Sequence, residues 1–293
     1  MPAATAQPGA LNKRPDELAR GDFELVVRRL AEDIAFGADN SLFIGAGLEY
    51  AGSRPYEPGD SVRMLNWRLT ARTGKPFIKQ YEALKRTCIY TVVDTSGSMS
   101  VSSAHLSKHD LAVWIAAAIG VVGQRRMSPV AVVGAGDRET RVEPSLARND
   151  LWRTIEPLRT GVLNESTRLG ERLRALTARV DRASVIVVIS DMHDPQAAPA
   201  LKHAAQGHDC IAIHLQDPAE EGNLRAGFIR AREAESGTHS LLHSRSRWTG
   251  ADTMRSELIR AGVDYLRLHT DQPFVPALRH FLANRGGLAR TRG

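Results

Sequence analysis

The spacing of apolar and polar positions changes rhythm about a third of the way along this 293-residue chain. Near the start, "DFELVVRRLAEDIAFG" sets Phe23, Val26, Val27, Leu30, Ile34 and Ala35 at helical spacing, with Asp22 placed to cap them. An irregular, arginine-rich stretch follows. Its "YEPGD" is turn chemistry: Pro58 sets φ, Gly59 permits a tight bend, and Asp60 can cap a helix from Ser61 to about Thr70. Gly74 is placed to end that helix, and "PFIKQYEAL" reads as extended.

From Thr87 onward, short apolar runs alternate with longer helical patterns. "CIYTVVD", "PVAVVGA", "SVIVVIS", "CIAIHLQ" and "VDYLRLH" read as strands, with one further short strand near Thr140 to Val142. Between them, "LAVWIAAAIGVVGQRR", "ARNDLWRTIEPL", "TRLGERLRALTAR", "PALKHAAQ" and "ADTMRSELIRAG" read as helices, and "FVPALRHFLANR" closes the chain. Doubly apolar strands separated by helices predict a doubly wound, mainly parallel α/β sheet covered on both faces. No repeat of about 20 to 50 residues is visible, which excludes solenoids and propellers.

Three regions follow from this pattern. Residues 1–17, rich in Pro, Ala and Gly, read as a disordered tail. Residues 18–85 hold the N-terminal helix and the arginine-rich segment, and residues 86–290 hold the α/β domain. That domain carries an insertion at about 218–247, where "REAESGTHSLLHSRS" reads as a small hairpin around Ser236 and Gly237. Residues Arg285 to Gly293 read as a frayed tail.

Composition narrows the function classes. Basic residues exceed acidic ones by 39 to 33, giving +6 and a pI near 9.6, a modest excess that reads as a solvated surface. Only 5% of residues are aromatic, and no basic patch is interleaved with Phe or Tyr as a single-strand nucleic-acid binder needs. Cys88 and Cys210 both fall in apolar strands and read as reduced core thiols. The longest apolar run, Leu111 to Gly123, is shorter than the ~20 residues of a spanning helix, and "MPAATAQPGALNKRPDE" lacks signal-peptide architecture. A soluble, cytoplasmic chain is the expectation.

The chemistry concentrates at strand ends, because open α/β sheets bind ligands at the carboxyl ends of their strands near the switch point. The first apolar strand ends in Asp94-Thr95-Ser96-Gly97-Ser98, a later helix opens at Glu165-Ser166-Thr167-Arg168, and "SVIVVIS" ends in Asp191. Asp94, Ser96, Ser98, Thr167 and Asp191 would thus bring two carboxylates and three hydroxyls to one edge. Such an all-oxygen set suits Mg²⁺ or Mn²⁺ and is poor for zinc. Gly97 would allow the bend. Each piece alone is also an ordinary helix cap.

The combination resembles the metal-ion-dependent adhesion site of von Willebrand factor A domains. "RPYEPGDSVRMLNWRLTARTGKPFIKQYE" and "QDPAEE" with "GNLRAGFIRAREAESG" are similar to the bacterial "domain of unknown function 58" family, whose members carry such a domain. The likeness spans roughly residues 40 to 290. Asn66 stands where the family usually has Asp, and Glu165-Ser166-Thr167-Arg168 where it commonly has Gly-Gly-Thr-Asp. The resemblance implies direct ligation by Ser96 and Ser98, direct or water-mediated ligation by Thr167, and mostly water-mediated roles for Asp94 and Asp191. It further implies an open position filled by a carboxylate of an acidic-residue-bearing protein ligand, and a MoxR-type AAA+ ATPase as partner.

Two rival readings remain. A metal-dependent, phosphatase-like hydrolase is allowed chemically, but "TSGSM" is not the G-x-S-x-G elbow and no G-x-x-x-x-G-K-[ST] loop occurs. His193 then reads as an incidental neighbour, and a non-enzymatic protein is expected. The other rival gives Arg54, Arg63, Arg68 and Arg72, with Lys75, an acidic surface or nucleic acid to bind. The alternative for that segment is structural, with Tyr56, Val62, Leu65, Trp67 and Leu69 forming a packing face. His239 and His243, four apart without acidic or Cys companions, read as surface residues.

Overall fold

The structure is a computed structural model. It describes residues 15, 22–35, 48–57, 60, 65–83, 87–100, 102–103, 106–137, 139–140, 143–160, 165–221, 228–232, 239–243 and 251–289. The chain forms two units, one of residues 43–87 and one of the remainder.

In the smaller unit, β1 (Leu48–Pro55) and β2 (Phe77–Ala83) pair antiparallel around a short helix, α2 (Trp67–Thr73). The cap of α2 differs from the expectation. Its first turn is capped by Asn66, whose Oδ1 accepts the Leu69 N–H at 3.2 Å, while Gly74 closes it at φ 69°. Asp60 instead receives the Glu57 N–H and both Arg54 terminal nitrogens, at 2.7 and 2.8 Å. A bidentate guanidinium outcompetes a cap for the same carboxylate. Residues 61–64 lie outside the described residues, as do 1–14 and 290–293.

In the larger unit the sheet runs β10-β7-β6-β3-β4-β5, built from β3 (Ile89–Val93), β4 (Val130–Ala135), β5 (Glu139–Thr140), β6 (Val185–Ser190), β7 (Asp209–Gln216) and β10 (Asp264–His269). All pairings are parallel except that of β4 with edge strand β5. Counted within this sheet, that is the doubly wound order 3-2-1-4-5-6, the doubly wound, mainly parallel α/β sheet that the sequence led us to expect. β8 (Phe228–Arg232) and β9 (His239–His243) form the inserted hairpin, beginning earlier in the chain than the "REAE" run suggested.

Every residue of β4 and β6 is buried, which is why those strands read as continuous apolar runs rather than alternating ones. On one face, Val92, Ile186, Val188, Cys210 and Ala212 pack with residues of α5 (Leu169–Thr177), α6 (Ala197–Ala204) and α7 (Ala251–Arg260). The other face is covered by α3 (Lys108–Arg125), buried almost all round, and by α4 (Arg148–Thr160). α1 (Phe23–Ala35), capped by Asp22 through the Leu25 N–H at 3.0 Å, packs on α3 and on α8 (Val275–Ala289). The expected 18–85 segment is therefore divided: its helix belongs with the sheet, because its buried stripe Val26, Val27, Leu30 and Ile34 needs an apolar partner face.

The C-terminal reading also changes. Arg285 is 5% exposed and ion-paired to Asp209 and, at 2.6 Å, to Asp264, the first residues of β7 and β10. Both cysteines are free thiols. Among the described residues, no helix is long and apolar enough to cross a membrane.

Candidate metal centre

The site grows from the switch point between β3 and β6. Their register sets Val93 beside Ile189, so each strand delivers one carboxylate as it ends. Asp94 follows β3 and is wholly buried; its N–H donates to Ile189 O at 3.0 Å. Its Oδ2 accepts the Ser190 hydroxyl at 2.6 Å, and its Oδ1 accepts the Ser96 N–H at 2.9 Å. The Ser96 and Ser98 hydroxyls lie 3.0 Å apart. Among the described residues, the glycines with left-handed φ are Gly74 and Gly262, so Gly97 is not the forced bend the sequence suggested. Its N–H donates instead to Glu165 O at 2.9 Å.

That bond, with a bridge between Ser96 and Glu165, draws in the loop carrying Thr167, which is half-buried two residues on. Glu165 is buried too and accepts the Thr95 hydroxyl at 3.1 Å. Gly136 leaves room for this pair: a Cβ there would stand 1.7 Å from Glu165 Oε2 and 2.2 Å from Thr95 Oγ1. Arg168, the charge beside Thr167, is held by Glu171 at 2.7 and 2.9 Å.

Asp191 follows β6 at 1% exposure. The next residue, Met192, is a buried non-glycine residue at φ 59°, pinned by its N–H to Ser190 Oγ at 2.8 Å. Strain of this kind in a strand-end loop is characteristic of functional sites. His193 Nδ1 lies 3.3 Å from Asp191 Oδ2. The histidine is thus part of the cluster rather than incidental.

Sequence reasoning missed two members. Ser107 and Asp110 form a capping box that starts α3 and sets Lys108 in its first turn. A cation there opposes the helix dipole, yet Lys108 is fully buried. Its ammonium donates to Asp191 Oδ2 at 2.7 Å and to Glu220 Oε1. Glu220 comes from a 3-10 turn, Pro218–Glu221, directly after β7. Asp217, buried beside it, accepts the Ser103 N–H at 2.8 Å and the Thr270 hydroxyl at 3.2 Å, tying the stretch after Ser98 to the end of β7.

Electrostatics follow from this packing. Burial, and then the charge of Asp191, push the Asp94 carboxyl up to about 6, against hydrogen bonds from Ser190 and Ser96. For Asp191, burial is outweighed by the His193 hydrogen bond and the Lys108 charge, which hold it well below the usual carboxylate range. Burial would lower Lys108, but Asp191 and Glu220 outweigh it and raise its pKa, so it is an ammonium. Burial would lower His193, but its hydrogen bond to Asp191 and that carboxylate's charge raise it, so the cluster sets Asp94, Asp191 and Glu220 against the Lys108 ammonium and a histidine that Asp191 favours protonated.

The residues present fit a hard divalent cation. The Ser96 and Ser98 hydroxyls are hydrogen-bonded to each other at 3.0 Å, which is also the spacing, about 3 Å, of two oxygens at right angles on a six-coordinate Mg²⁺. Asp191, His193 and Glu220 form a further metal-capable group, their ligand atoms all within 4.8 Å of one another. The structure brings Asp94, Ser96, Ser98 and Asp191 together and sets the Thr167 loop against them.

In the smaller unit, Arg54 is occupied by Asp60, Arg63 lies outside the described residues, and Arg68 and Arg72 are exposed. Trp67, expected on a packing face, is 67% exposed.

Uncharacterized proteins of Mycobacterium tuberculosis (Rv1480) and Mycobacterium bovis (Mb1516) are each 30% identical to this chain, over 94% of it and 96% of their own length. Among solved structures, the conserved hypothetical protein BatB from Bacteroides thetaiotaomicron matches 69% of this chain and 99% of its own at 16% identity, with a TM-score of 0.46. The family described as "Protein of unknown function DUF58" matches residues 52–259. The chain belongs to that family.

Proposed function

We propose that this protein is a metal-ion-dependent interaction module rather than an enzyme, binding an acidic residue of a protein partner through Mg²⁺ or Mn²⁺. One observation carries the reading: paired serine hydroxyls 3.0 Å apart beside two buried carboxylates whose charge exceeds that of the local ammonium. Ser96, Ser98 and Thr167 would hold the cation, with Asp94 and Asp191 acting mostly through water. The ion would supply an electrophilic point on which a partner carboxylate can settle. The His193 ring is engaged on Asp191, which favours binding over activation of a serine nucleophile.

The partner assignment rests on the family resemblance: a MoxR-type AAA+ ATPase, working with this module to assemble or activate other protein complexes. Retention of such an ATPase on immobilised protein in Mg²⁺, lost in chelator and in Asp94→Ala or the Ser96→Ala, Ser98→Ala double variant, supports the reading. Equal retention by the folded variants contradicts it.

A second reading has its own observation. Arg68, Arg72 and Lys75 are exposed, as is Trp67, and the three make no ion pair among the described residues. Such a face suits an acidic partner surface.

A further inference from the structure

The "QDPAEE" stretch after β7 carries Glu220, which shares the Lys108 ammonium with Asp191. We propose that Glu220 is an internal carboxylate ligand of the cation site, which an incoming acidic residue must displace. This rests on the cation-site reading above and goes beyond it by naming what sets the strength and selectivity of partner capture.

Three observations carry it. The first is reach. The ligand atoms of Glu220, Asp191 and His193 lie within 4.8 Å of one another, and oxygens on one six-coordinate Mg²⁺ are separated by up to about 4.2 Å. A small side-chain adjustment closes that gap. The second is freedom to make it. Asp94 has both oxygens engaged by the adjoining strand and loop, and Asp191 is 1% exposed. Glu220 keeps 15% of its side chain exposed, sits on a single 3-10 turn, and takes one long bond from the Asp217 N–H at 3.3 Å besides its pair with Lys108.

The third is charge. Asp94 and Asp191 against Lys108 leave −1, so a dication without Glu220 gives a centre of net +1 that attracts any carboxylate. With Glu220 on the ion the centre is neutral, and an outside acid binds only where further contacts favour the exchange. Displaced, Glu220 returns to the Lys108 ammonium, which is already placed to receive it. Lys108 and Glu220 thus mimic, within one chain, the cation-to-acid bridge that a partner would complete.

The test uses the full chain with Mn²⁺ as probe and acetate as the simplest external carboxylate. Water-proton relaxation reports how many exchangeable waters the bound ion keeps. Glu220→Gln, which preserves an acceptor for Lys108, is expected to show about one more water on Mn²⁺ than the wild type. Acetate should displace water from that variant at several-fold lower concentration. Should the Gln variant lose Mn²⁺ altogether, Glu220→Asp, which keeps the charge but shortens the reach, is expected to show the added water. Mn²⁺ bound by wild type and variants with equal water counts and equal acetate titrations overturns the role of Glu220 while leaving the cation site standing. Failure of the wild type to bind Mn²⁺ at all overturns both.

Discussion

Two buried cations sit at opposite ends of the same sheet, each between two carboxylates, and they do different things. At the amino end Arg285 pairs with Asp209 and Asp264, whose side chains are 54% and 30% exposed. Water already hydrates those acids, and the cluster fastens α8 to the starts of β7 and β10. At the carboxyl end Lys108 pairs with Asp191, 1% exposed, and Glu220, 15% exposed, with a second fully buried carboxylate, Asp94, close by. A buried ion pair is therefore not what marks a site. What distinguishes the carboxyl end is a third acidic group, Asp94, and the paired Ser96 and Ser98 hydroxyls beside it.

The comparison breaks most visibly if each cation is removed. Lys108→Ala removes the ammonium held between Asp191 and Glu220 and leaves His193 as the basic neighbour of Asp191, and breaking a buried pair in this way costs about 3–5 kcal/mol. Mg²⁺ should restore part of that loss, because a dication can take over the ammonium's role. Arg285→Ala removes hydrogen bonds to acids that stay partly hydrated, with an expected loss of about 2 kcal/mol that Mg²⁺ leaves unchanged. Urea denaturation of both variants with and without Mg²⁺ makes the check. A Mg²⁺-sensitive Arg285→Ala, or a Lys108→Ala as mild as its counterpart, would erase the distinction.

A smaller effect follows from proton competition. The folded-state pKa of Asp94 is raised above its ordinary value, so its protonation stabilises the cation-free fold at low pH, and that contribution is lost as pH rises through about 6. Cation binding requires the ionised form. The rise in melting temperature produced by Mg²⁺ should thus be small at about pH 5 and larger at about pH 7.5. No comparable pH dependence of a Mg²⁺ effect is expected from the amino-end cluster.

Much of this was legible in the chain. The convergence of Asp94, Ser96, Ser98 and Asp191 at one sheet edge could be read because fully buried strands announce themselves as unbroken apolar runs, and parallel sheets gather their strand ends. The cap of α1 by Asp22 and the stop of α2 at Gly74 are local chemistry, and local chemistry is what a sequence prints directly. Lys108 and Glu220 were not legible. They stand 83 and 112 positions from Asp191 and from Lys108 respectively, and meet only because β7 pairs with β6 while α3 begins under both. Read locally, Lys108 is an ordinary charge on a helix end. Its one signal was being the wrong sign for the first turn of a helix. Arg285 was misread for a similar reason: a polar chain end looks frayed until the carboxylates that hold it, 76 and 21 residues away, are known.

The most direct test compares wild type and Asp94→Asn by melting temperature as Mg²⁺ is added at about pH 7.5, with no partner present. Without Mg²⁺ the variant should melt at or above the wild-type temperature, because it removes a buried charge facing Asp191. With Mg²⁺ the wild type should rise in a saturable way and the variant should not. An equal rise in both, or none in either, would contradict the assignment of this strand-end cluster as a cation site.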